Sequence, residues 1–193
     1  MGLWPFSSTK QTSSQPPPLP ERPSHFKDVS ALSVGFHNKV KAFFDERLQR
    51  ELDETRGNDV GTTMILRQQK IIEQMERFEK QFLSIAEITV NNALEEIKKA
   101  DYWYLRGFDM STQTNLETCL KDINDMRDIM RETKQRIITD MKKTKNLLER
   151  IQRHDTIATE LYSKLKLKAG KIEIMLQVWK RTVDAAYLKA GQR

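Results

Sequence analysis

Residues 64–105, MILRQQKIIEQMERFEKQFLSIAEITVNNALEEIKKADYWYL, carry the pattern that decides the fold. Within them Ile71, Met75, Phe78, Phe82 and Ile85 recur three and four apart. That spacing predicts one apolar stripe along one face of an α-helix. After Ile85 the stripe slips by one residue and continues as Ala86, Val90, Ala93 and Ile97. Off the stripe, Glu73/Arg77, Glu76/Lys80 and Glu95/Lys99 each set an acid four residues before its base. That order supports an exposed helical face. A helix this long spans roughly 60 Å and cannot shelter its stripe alone. The expectation is that other helices, from this chain or another protein, must cover it.

The same periodicity extends both ways along the chain. Upstream, Val29, Leu32, Phe36, Val40 and Phe43 predict a first helix from about Ser24 or Lys27 to Thr55. Arg56-Gly57-Asn58-Asp59 then reads as a turn, with Gly57 left-handed and Asp59 capping the next helix. Downstream, the second helix is expected to stop at Gly107, with Phe108 folding back on Trp103. The aromatic group Tyr102, Trp103, Tyr104 and Phe108 suits a plug closing one end of a bundle, with a binding hot spot as the alternative.

Thr114 to Glu117 has the form of a capping box and predicts the start of a third helix. Its seam runs through Ile123, Met130, Ile137, Leu148 and Ile151 at coiled-coil spacing. Cys119 falls inside that seam as a small apolar residue. A fourth helix, or a continuation of the third, covers Thr156 to Ala190, with Leu161, Leu165, Ile172, Leu176, Trp179 and Val183 as its stripe. A turn near His154 and an unbroken rod both fit, and Gly170 is a second candidate interruption.

Every proline lies at or before Pro23. Residues 1–23 therefore read as a disordered Pro/Ser-rich arm and residues 24–193 as the helical domain. The predicted fold is all-α: an elongated antiparallel bundle or coiled coil of three to four long helices. In the arm, Trp4 and Phe6 form an apolar tip able to insert at a membrane interface or dock in a partner's groove. Pro17, Pro20 and Arg22 match the proline-x-x-proline-x-arginine ligand of SH3 domains, since proline pre-sets the extended polyproline helix. The plainer reading of that stretch is a stiff spacer.

Charge is uneven. Residues 131–193 hold 16 Lys/Arg and 7 Asp/Glu, a balance of +9 against +6 for the whole chain, so the remainder sums to −3. Lys164, Lys166, Lys168, Lys171, Lys180 and Arg181 form a candidate basic face for an anionic membrane or an acidic partner, with a merely solvated surface as the ordinary alternative. Nucleic acid ranks last as a partner, because no recognised motif accompanies these bases.

One cysteine excludes an internal disulfide framework and points to a reducing compartment. No apolar run reaches the roughly 20 residues of a membrane span. The expected location is intracellular and cytoplasmic, with peripheral attachment to an organelle membrane as an option. His25, His37 and His154 are scattered away from ligand spacing, and no Glu-x-x-His or glycine-rich phosphate loop occurs. No cofactor, metal or catalytic residue is assigned.

Two functions follow as expectations. The first is a non-enzymatic structural or adaptor subunit that joins other helical proteins, its arm recruiting a further partner such as an SH3-domain protein. The second is a membrane-surface module in the manner of BAR domains, using the basic C-terminal third.

Overall fold

A computed structural model describes residues 20–143 and 145–192. Four long helices, and no strand among the described residues, make the protein all-α. The first, α1, covers residues 26–53 as Phe26–Val40, a wide π-helical stretch Lys41–Arg47, and Leu48–Asp53. The second, α2, covers residues 60–99 as Val60–Phe78, a π-helical stretch Glu79–Leu83, and Ser84–Lys99. A 3-10 turn, Trp103–Leu105, leads to α3, Asp109–Lys143, and then to α4, Leu147–Gly191.

The two wide stretches follow from the spacing of the apolar residues. In α1, Phe36, Val40, Phe44, Leu48 and Leu52 are all four apart and all buried. Steps of four drift by about 40° each around a regular helix. A wider turn at Lys41–Arg47 absorbs the drift and keeps the row facing inward. The carbonyl of Phe43 within it accepts from Nε2 of the buried Gln74 at 2.9 Å. In α2, Phe78 and Leu83 are five apart and both fully buried, and the π-helical stretch lies between them.

The register slip in α2 thus falls one turn earlier than expected. That corrects Ile85, which is 57% exposed rather than in the seam, and leaves Phe82 half-buried. Ile71, Met75 and Phe78 are buried as expected, and so are Ile123, Met130 and Ile137 on α3.

The boundaries of α3 and α4 also need correction. Helix α3 begins at Asp109, and Thr114 sits inside it with its hydroxyl donating to the Met110 carbonyl at 2.7 Å. Helix α3 ends at Lys143 and α4 begins at Leu147, and α4 runs unbroken through His154 and Gly170. Asn146 caps α4, its Oδ1 accepting from the Leu148 amide at 3.0 Å and the Glu149 amide at 3.4 Å. Leu148 therefore belongs to the first turn of α4 and is 60% exposed, while Ile151 is half-buried. The first turn reads as expected: Gly57 has φ of +105°, and the Asp59 side chain accepts from the Thr62 amide at 3.0 Å.

One core joins all four helices. Both α2 and α4 touch each of the other three helices, but α4 packs far more extensively against α1 and α3, so it, and not α2, is the element the others lean on. Cross-links show which ends meet. Arg127 of α3 binds Glu79, at 2.9 Å, and Glu87 of α2. Lys168 of α4 binds Asp122 and Asp125 of α3 at 2.8 and 2.5 Å. On α4, Glu173 accepts from the His37 amide at 2.8 Å and Gln177 donates to the Ser33 carbonyl at 3.1 Å. Those two side chains, one turn apart on α4, fasten it to one turn of α1.

Candidate interaction surface

Burial of its inner row leaves α4 with a second, outward row. The inner row, Leu161, Leu165, Ile172, Leu176, Trp179 and Val183, is wholly inside. The outward row reads Lys164, Leu167, Lys171, Ile174, Val178, Arg181, Ala185 and Leu188, in strict alternation of three and four. All eight are exposed, Leu167 by 64%, Ile174 by 56% and Leu188 by 59%.

The sequence-derived basic face divides accordingly. Lys164, Lys171 and Arg181 stand in the outward row, whereas Lys168 is half-buried between Asp122 and Asp125. Its hydrogen bonds to those carboxylates raise its pKa. Lys166 lies over the Tyr162 ring at 5.8 Å, and Lys180 lines a groove with Phe26, Lys27 and Leu188. These six bases do not share one side.

A second exposed apolar group lies where α2 hands over to α3. Trp103 and Phe108 line one groove with Ala186 and Ala190 of α4, and Met110 is among the most exposed side chains. Tyr104 and Leu105 are buried beneath them. The lead-in to α1 folds onto this end. The Tyr104 hydroxyl donates to the Glu21 carbonyl at 2.7 Å, and Pro23 is buried. Arg22 binds Asp184 at 3.1 Å and covers the rings of Phe26 and Tyr187. The guanidinium assigned to an SH3 pocket is thus held by α4, with Pro20 half-buried beside it. Trp4, Phe6 and Pro17 lie outside the described residues. The carboxylate of Glu96 receives the Ser24 amide at 2.7 Å, the His25 amide at 3.3 Å and the Tyr102 hydroxyl at 2.5 Å. Burial alone would raise the Glu96 pKa, but these hydrogen bonds outweigh it and hold the carboxyl below its usual range.

At the opposite end a polar cluster fastens α4 to the turn between α1 and α2. Arg67, only 2% exposed, donates to the Leu52 carbonyl at 3.0 Å and pairs with Asp155. His154 is buried nearby, and burial together with the charge of Arg67 pushes its pKa down to about 4. Sequence reading passed over Arg67, although it lies four residues before Ile71 and so on the α2 stripe.

Cys119 is buried, burial pushes its thiol up to about 12, and its Sγ donates to the Ile172 carbonyl at 3.8 Å. Among the described residues no group of three or more His, Cys, Asp or Glu is placed to hold a metal ion. None of the described helices is long and apolar enough to cross a membrane.

The arrangement defines a class: an all-helical protein with a closed core and a residual outward seam. No family model matches the chain, and neither a curated protein nor a solved structure matches it.

Proposed function

We propose that this protein is an elongated antiparallel four-helix bundle working as a non-enzymatic adaptor or structural subunit of a multiprotein complex. One observation carries the reading. Leu167, Ile174, Val178 and Leu188 recur at heptad spacing on the outside of a helix whose inside is already buried. Scattered surface leucines are ordinary, but a heptad row is the pattern by which one helix receives another.

This differs from the expectation that long stripes go begging for partners. The core seams close within the chain, so docking falls to the outward row and to the Trp103–Phe108 end. Partner binding leaves the core intact, which suits a subunit that folds first and assembles afterwards.

Affinity purification of the tagged full chain from its own cells tests the proposal. The comparison is with L167N/I174N/V178N, whose changes lie on exposed positions and leave the helical circular dichroism unchanged. Loss of specific co-purifying proteins in the variant is expected. An identical set from both proteins would overturn the assignment of docking to α4.

A membrane-surface role has one specific observation in its favour, the alternation of Lys164, Lys171 and Arg181 with aliphatic residues. It is weakened by the dispersal of Lys166, Lys168 and Lys180 to other sides.

A further inference from the structure

Resting on the adaptor reading above, we infer that the outward seam of α4 receives an acidic amphipathic helix of a partner protein. The seam extends from Lys164 to Leu188, about 36 Å at the standard helical rise. Three of its eight positions are bases, and none is an acid. Over this span α4 has two acids, Glu173 and Asp184, and both are taken, by the His37 amide and by Arg22. None of the ion pairs that α4 makes with described residues uses Lys164, Lys171 or Arg181. Three cations at seam positions, with no direct ion pair among the described residues, specify what must face them. A partner helix that covers Leu167, Ile174 and Val178 desolvates the bases between them, and only carboxylates at the matching positions compensate.

Other occupants meet this pattern badly. A second copy laid antiparallel about Ile174 and Val178 sets Lys171 against Arg181 twice, and a parallel copy sets each base near itself. Both arrangements bring like charges together in a closing seam. A lipid surface wants a broad apolar face, often aromatic, with its bases at the flanks, where they reach the headgroups. Here the bases stand within the row itself and not at its flanks, no aromatic accompanies them, and insertion would carry them toward acyl chains.

The test uses two synthetic four-heptad helices with identical apolar seams. One carries Glu and the other Lys at every position bordering the seam. Fluorescence anisotropy with the full chain should show the Glu helix binding at least about tenfold tighter, with the preference shrinking at high salt. L167N/I174N/V178N should lose binding to it. K164E/K171E/R181E should reverse the preference toward the Lys helix. Equal binding of both peptides would overturn the inference, as would a preference that the charge-reversed variant leaves unchanged. So would cosedimentation with phosphatidylserine vesicles that depends on the same three bases while the Glu helix fails to bind. Should the peptides fail while L167N/I174N/V178N still sheds co-purifying proteins, the acidic partner falls and the adaptor reading stands.

Discussion

At the scale of single residues, the informative positions are polar side chains inside apolar rows. His154 protonates near pH 4 in the folded chain and near its ordinary 6.5 once unfolded. Between those values the unfolded state binds the extra proton, so acidification through that window favours unfolding. The urea midpoint should therefore fall as pH drops from 6.5 toward 4, and His154→Leu should flatten the slope. Equal slopes in the two proteins would mean that His154 is not held neutral by its surroundings. Arg67 gives a second expectation. Arg67→Met keeps most of the packing volume and leaves the Leu52 carbonyl its Thr55 amide and hydroxyl donors, but it removes the link from α2 to that carbonyl and the partner of Asp155, so it should cost about 0.5–1.5 kcal/mol by chemical denaturation. A neutral result would make Arg67 a passenger at the end of α2. In the sequence Arg67 is passed over because a charged letter reads as surface, and His154 is weighed only as a turn position or a metal ligand. The remedy is geometric: stepping back one turn from Ile71 lands on Arg67.

Among elements, the π-helical stretches are the least obvious and the most testable. One extra residue between Phe78 and Leu83 realigns the second half of α2 with the core. Deleting the exposed Gln81 should convert that stretch to regular α-helix while both flanking rows stay inward. Stability within about 1 kcal/mol of the parent is expected. Deleting Asn91, equally exposed but in regular helix, rotates Ala93, Leu94 and Ile97 away from the core and should cost more than about 4 kcal/mol. Similar losses in the two variants would refute this account of the wide turn. The slip itself is legible from the change of stripe after Ile85, but its position is not. Both Phe82 and Ile85 continue a three-four pattern, and only packing against Phe36 and Phe78 shows which neighbour is kept. The α3–α4 boundary failed for a related reason. The apolar row runs on to Leu148 and Ile151 without interruption, and the sole stop signal is a capping asparagine amid lysines. The outward row of α4 was hidden differently. Its bases read as one face because they are close in sequence, although Lys166 and Lys180 lie on the opposite side of the helix from Lys164 and Lys171.

For the molecule as a whole, the central question is whether it needs another copy of itself to be stable. Its long stripes call for covering helices, from this chain or from another protein. Within the structure each inner row is covered by neighbours in the same chain, joined by short connections, and Trp179, Phe78 and Met126 are fully buried. What remains exposed at heptad spacing is interrupted by Lys164, Lys171 and Arg181, which repel a second copy. The purified chain should therefore run as a monomer in light scattering at low salt. Its far-UV dichroism and tryptophan fluorescence should lose signal in one coincident transition, because a single core ties all four helices together. Raising the ionic strength screens the exposed seam bases, so any weak dimer should appear with salt rather than vanish. A dimer that is strongest at low salt would reverse the sign of this argument. It would mean that an acidic surface of the same chain meets α4, and that the partner described above is a second copy after all.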